Sequence, residues 1–171
     1  MRRRGFSLIE LTAVLLIAAI AAGAVALNLR GPVRRAQMRD VIEQVAAFDH
    51  LTRHFAREHD RPVRLVIDVS AGELSRTGGQ NDEMLGEACV LPAGYRIGKL
   101  YVRGKGITVG RAAVACSRLG FMPTYAMCIE GPEDQVRWVL LAGLTGEVAE
   151  IDDEEQLRDI LEAPARRDDA R

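Results

Sequence analysis

MRRRGFSLIELTAVLLIAAIAAGAVALNLRGP, residues 1–32, opens the chain and contains one residue that its surroundings do not explain. Leu11 to Leu29 is a run of 19 uncharged residues. At about 1.5 Å of rise per residue such a run reaches roughly 28 Å as a helix, the thickness of a bilayer core. Glu10 stands at its start, where a carboxylate costs roughly 2.5 to 3.5 kcal/mol on insertion scales. Three readings compete. Arg2, Arg3 and Arg4, the apolar run, and an A-x-A site at Ala24, Val25 and Ala26 together fit a secretory signal cut before Leu27, which releases a soluble periplasmic binding domain. An uncut single-pass anchor is the second, with its orientation left open because Arg30, Arg34, Arg35 and Arg39 balance the arginines at the amino terminus. Neither gives Glu10 a purpose, and an acidic group in such a place implies a partner.

The third reading does. Gly5, Phe6, Ser7, Leu8, Ile9, Glu10 and Leu11, preceded by arginines and followed by the apolar run, resemble the class III signal of the type IV pilin-like superfamily. That resemblance implies cutting by a prepilin peptidase between Gly5 and Phe6, N-methylation of Phe6, and Glu10 as the fifth residue of the cut chain. It also implies that Glu10 acts in assembly, pairing with a neighbouring subunit's new amine where an unpaired charge is costly. Leu11, Val14, Leu15, Leu16, Ile17, Ile20, Val25 and Leu27 are then the membrane anchor and filament core. Implied partners are other pseudopilins or pilins, the inner-membrane assembly platform and secreted cargo. The implied location is the bacterial inner membrane, single-pass, with the head in the periplasm.

Beyond the apolar run, Met38, Val41, Val45, Phe48, Leu51 and Phe55 recur every three or four residues, which predicts an amphipathic continuation of the same helix. Gly31 and Pro32 predict a kink or loosening, and Pro62 a stop. The helix is expected from about Phe6 to about His59. PVRLVIDVS, YRIGKLYV, ITV, TYAMCIE, QVRWVLLA and GEVAEI then read as strands between Gly, Pro and acidic turns, with SRTGGQNDE as a loop. IDDEEQLRDILEAP reads as a short helix capped by Asp152, with Glu155 at the capping-box offset and Leu157, Ile160 and Leu161 as its apolar edge.

The expected fold class is therefore α+β, pilin-like, with a long N-terminal helix, transmembrane in its first half and amphipathic in its second, packed on an antiparallel β-sheet head. The expected divisions are leader 1–5, transmembrane and filament-core helix 6–29, amphipathic half 30–61, sheet head 62–151, and acidic helix with a disordered tail 152–171. Residues 63–151 also resemble, by pattern, the H-type minor pseudopilins of type II secretion and the related minor type IV pilins. The pattern is a β-rich run, a turn at Gly120, strands through Ile129 and Trp138, and a closing LTGEV. The acidic segment after Glu150 departs from it. What the resemblance implies is a minor pseudopilin that helps export folded proteins, or a minor type IV pilin for assembly, adhesion or DNA uptake.

Charge separates the chain's ends, although 23 basic side chains nearly balance 24 acidic ones overall. Eight arginines face five acids between Arg30 and Arg64, and four arginines face ten acids from Glu147 onward. Arg34, Arg35, Arg103, Lys105, Arg111, Arg166 and Arg167 are interrupted by acids and lack interleaved aromatics, so nucleic acid is not an expected ligand. Cys116 and Cys128 flank SRLGFMPTYAM, where a hairpin turn at Gly120 and Pro123 could set them opposite each other for a disulfide; the alternative is two buried thiols. His50 and His54 lie four apart on one helix face without a third ligand, so no metal site is assigned. No nucleophile elbow, phosphate cradle or calcium loop is present in the pattern, and the expectation is a non-enzyme without cofactors.

Overall fold

The structure, a computed structural model, describes residues 8–78 and 83–162; the side chains of residues 22, 24–30 and 162 are not described. The processing junction Gly5–Phe6, the middle of the SRTGGQNDE segment and the tail after residue 162 lie outside the described residues. Two compact units are present, Met1–Arg39 and Asp40–Arg171. Helix α1, Leu8–Glu58, contributes to both and contains Pro32 without interruption. A proline inside a helix removes one backbone hydrogen bond and leaves the turns on either side able to form theirs.

In the first unit the helix carries Leu8, Ile9, Leu11, Val14, Leu15, Leu16, Ile17 and Ile20, all exposed. Among the described residues no helix is long and apolar enough to cross a membrane. The uncharged run Leu11–Leu29 extends into positions whose side chains are not described, Val25 and Leu27 among them.

The second unit is the expected α+β arrangement, an α1 segment packed on antiparallel strands, with two sheets where one was expected. Sheet A has the order β3-β2-β1-β6, built from β1 Val63–Asp68, β2 Glu73–Gly78, β3 Cys89–Val90 and β6 Arg111–Cys116. Sheet B has the order β5-β4-β7-β8-β9, built from β4 Arg96–Val102, β5 Lys105–Ile107, β7 Tyr125–Glu130, β8 Val136–Leu141 and β9 Val148–Ile151. All pairings are antiparallel. In sheet A the register places Ile67 opposite Leu74, Leu65 opposite Val114 and Val63 opposite Cys116, so one face is apolar and fully buried. Burying a side chain of this size contributes about 1.5 to 3 kcal/mol. Arg76, on the same strand as Leu74, lies over the rings of Phe48 and Phe55 and donates to the Leu51 carbonyl, which ties sheet A to α1.

β7 is the central strand of sheet B and is buried along almost its whole length. Side chains alternate across a strand. Tyr125, Met127 and Ile129 lie on one face, and the Tyr125 hydroxyl reaches α1. On the other face, Ala126 and Cys128 cluster with Tyr101, Trp138, Ile151 and Leu157 of α2, Glu154–Glu162. Cover on both faces is why β7 reads as a continuous apolar run instead of an alternating one.

Four expectations are corrected here. Ser75–Gly78, expected in a loop, belongs to β2. The buried face of α1 drifts: Val41, Val45 and Phe48 are buried as expected, but Leu51 is 56% exposed, and Asp49, Thr52, Arg53 and Ala56 are buried. At 3.6 residues per turn, positions 45, 49, 52 and 56 continue one stripe and 51 and 55 leave it. The cap of α2 is Asp153, whose Oδ1 accepts from the Glu155 amide at 3.1 Å, and Ile160 is 45% exposed. Finally, Cys116 and Cys128 do not face each other across a hairpin. They lie on β6 and β7, in different sheets, and Cys89, Cys116 and Cys128 are all free and buried.

Candidate assembly site

Glu10 lies in the first turn of the described helix and is exposed. Its neighbours Leu8 and Ile9 are 81% and 76% exposed, and Leu11 beyond it is 55% exposed. Thr12 returns its hydroxyl to the Ile9 carbonyl at 2.9 Å, which satisfies the one neighbouring polar side chain within the helix. A carboxylate is thus presented on a surface of Leu, Ile and Val. A partner that covers this surface removes water from the apolar chains and from Glu10 together. The first is favourable; the second is tolerated only if the partner brings a cation or donors to the carboxylate. Among the expected site residues, the structure places Glu10, Leu11, Val14, Leu15, Leu16, Ile17 and Ile20 on this one helical element.

The head holds polar machinery that sequence reasoning did not single out. Asp49 and Arg53 are 0% and 3% exposed. Arg53 Nε donates to Asp49 Oδ2 at 2.6 Å, and the other Asp49 oxygen accepts from the Tyr125 hydroxyl at 2.9 Å. Burial and the adjacent Asp49 charge push the Tyr125 phenol well above its ordinary range. The Arg53 fork reaches three backbone carbonyls, Gly143 at 2.6 Å, Ala142 at 3.1 Å and Gly120 at 3.2 Å. One guanidinium therefore clamps the β6–β7 and β8–β9 loops to α1. Gly120 adopts φ 79°, and a side chain at Gly143 would collide with the Met122 carbonyl. The signal for this cluster was an Asp and an Arg at i,i+4 within an otherwise apolar helix face.

A second network joins α2 to sheet B. Glu154 Oε1 accepts from Lys99 at 2.7 Å, Tyr101 at 2.6 Å and Arg158 at 2.9 Å. These donors hold the Glu154 carboxyl down at about 2, with Lys99 and Tyr101 the largest causes. The thiols are shielded: burial pushes Cys89 and Cys116 up and Cys128 up to about 11. Such thiols carry little thiolate at neutral pH and are poor nucleophiles. His54 lies 3.4 Å from Glu58, and His59 stacks on Phe55. No grouping of three or more potential metal ligands occurs among the described residues.

Among solved structures, the chain is similar to the minor pseudopilin EpsH from the type 2 secretion system of Vibrio cholerae, with 11% identity and TM-score 0.49 over 66% of this chain and 94% of that one. It is also similar to the type IV minor pilin FimU of Pseudomonas aeruginosa, with 12% identity and TM-score 0.49 over 68% of this chain and 89% of that one. No curated protein matches the chain in sequence. Residues 1–26 match the family described as "Prokaryotic N-terminal methylation motif", so the amino-terminal segment containing Gly5, Phe6 and Glu10 is a prepilin-type methylation motif.

Proposed function

We propose that this chain is a filament subunit of the type IV pilin-like class, and within that class a minor pseudopilin of a type II secretion system. The observation that carries the reading is the methylation motif over residues 1–26, with Glu10 presented on an exposed apolar helix. In this reading a prepilin peptidase cuts between Gly5 and Phe6 and methylates the Phe6 amine. The helix from Leu11 to Leu29 anchors the subunit in the inner membrane and then packs into the filament, with the head in the periplasm beside other pseudopilins, the assembly platform and secreted cargo. Glu10 pairs with a neighbour's terminal amine and sets axial register, since that charge is satisfied at one offset only. The role is structural, and no reaction is assigned to the head.

The test is the N-terminus and intact mass of the protein extracted from its host's membranes. Loss of Met1–Gly5 with a methylated Phe6 is expected; a start at Leu27 would sink the reading. Glu10→Leu is expected to insert in the membrane normally and to lose incorporation into filaments. Deletion of the gene decides the system served: failed export of folded proteins with surface pili intact identifies secretion, and lost pili with intact export identifies a minor type IV pilin.

A further inference from the structure

Sheet A ends on one side in β6, which pairs with β1 alone. Next to this pairing, the Val69 amide donates to the Gly110 carbonyl at 2.9 Å, a bond that fixes the phase of the ladder. In an antiparallel pair the main-chain groups of successive residues point alternately toward the partner strand and away from it. Ala112, Val114 and Cys116 therefore bond to β1, and the N–H and C=O groups of Arg111, Ala113 and Ala115 point away. Ser117, next in the outward series, has its amide taken by the Phe121 carbonyl at 2.8 Å. No hydrogen bond among the described residues takes up the outward main-chain groups of Arg111, Ala113 and Ala115, and all three residues are exposed.

The other sheet edges among the described residues are guarded. On the far side of sheet A, Gly78 donates to the Glu83 carbonyl at 2.8 Å and Leu85 to the Arg76 carbonyl at 2.7 Å, and β3 has two residues. In sheet B, β5 has three residues and includes Lys105, and β9 has four and includes an exposed Glu150. Short strands and edge charges are the usual guards against pairing. β6 has six residues, no proline and an unbroken register with β1. Its one charge, Arg111, is held over β1 by Asp68 at 2.7 Å. On the outer face, Arg111, Ala112, Ala113, Val66 and Ser75 help to line a hollow of about 370 Å³. On the inner face, Val114 and Cys116 are already covered by the head.

We infer that the β6 edge is a docking site for an extended segment of another protein, which adds antiparallel to sheet A as a fifth strand. The main chain sets the class of partner: donor–acceptor pairs about 6.8 Å apart repeat as those of an extended polypeptide do. A partner residue opposite Ala113 exchanges both bonds with it and lays its side chain on the same face. That side chain is large and apolar, because it lies over the alanine methyls toward Val66. Its two neighbours are small, because they turn to the inner face beside Val114 and Cys116, where the core is already covered. A second copy's β6 carries the reverse pattern, alanines outward with Val114 and Cys116 inward, and leaves the hollow unfilled. The inference concerns the head alone and does not depend on how the amino terminus is processed.

Amide hydrogen exchange of the full chain in detergent micelles, read residue by residue by NMR, tests it. In the free chain the Ala113 and Ala115 amides should exchange fast and those of Ala112 and Val114 slowly. The probe is the peptide acetyl-KIAIAIK-amide at up to about 5 mM, a range that reads millimolar binding. It should slow Ala113 and Ala115 by about fivefold or more. N-methylation of the peptide's isoleucines, whose amides face β6, should abolish the slowing; N-methylation of its alanines, which face away, should leave it intact. Ala113→Pro removes only an outward N–H and should lose the response at Ala115. If that variant melts early, Ala115→Pro, read at Ala113, replaces it. Four results overturn the inference: slow exchange of Ala113 and Ala115 in the free chain, which at rising protein concentration would mean pairing of copies; no slowing at about 5 mM peptide; equal slowing by the peptide methylated at isoleucine; or an undiminished response in a proline variant that melts like wild type.

Discussion

Asp49 and Arg53 show how one pair of residues organises the head. Both are removed from water, and every partner needed to offset that removal is present: the Tyr125 hydroxyl on one carboxylate oxygen, and three backbone carbonyls on the guanidinium. A buried pair of this kind adds little net stability compared with apolar residues of the same volume, yet breaking one half is costly because the other charge stays buried. Arg53→Met is therefore expected to lower the stability of the head by about 3 to 5 kcal/mol, read by urea unfolding. Adding Asp49→Asn to that variant should recover part of the loss, because the stranded charge is gone. Leu51→Ala, at a position 56% exposed, should cost much less. A double variant no more stable than Arg53→Met would mean that the pair does not act as a unit.

Helix α2 is a nine-residue element too short to be stable alone, and two attachments hold it on sheet B. Leu157 is buried in the cluster with Tyr101, Cys128 and Trp138, and Glu154 collects Lys99, Tyr101 and Arg158. The Glu154 carboxyl is depressed from 4.5 to about 2 in the folded protein, so the unfolded chain takes up this proton first. Its stabilising contribution is complete above about pH 4.5 and is lost as pH falls toward 2. Wild-type protein should thus lose more thermal stability between those pH values than Glu154→Gln, measured as Tm against pH; parallel curves would show that the attachment is carried by Leu157 alone. This element was legible in sequence because its apolar positions repeat at helical spacing. Its cap was not, since Asp152 and Asp153 are chemically equal candidates and tertiary placement chooses between them. β2 and β6 were missed for a related reason: ELSRTG and RAAVAC carry weak strand propensity, and they are strands because β1 pairs with both.

At the scale of the whole molecule, local pattern predicted that strands follow a long helix but not how the strands divide between sheets. The amino-terminal methylation motif was legible because it is contiguous, within residues 1–26. The Arg53 clamp was not, since it joins residues as many as 90 positions apart. The same division decides the cysteines. A hairpin between β6 and β7 would have placed Cys116 beside Cys128, but β6 pairs with β1 and β7 lies between β4 and β8, which sends the thiols into separate interiors. Cys89, on β3, lies in sheet A with Cys116. Burial and raised thiol pKa values both suppress reaction with disulfide reagents. The native protein should consequently show three thiols that react with Ellman's reagent only as fast as the head opens, and all three should react at once in denaturant. Non-reducing intact mass should show three free thiols after membrane extraction. A mass lower by two hydrogens, with one thiol remaining, would mean that the two sheets pack in a way that brings a pair of cysteines together, and would overturn the strand assignment that separates Cys116 from Cys128.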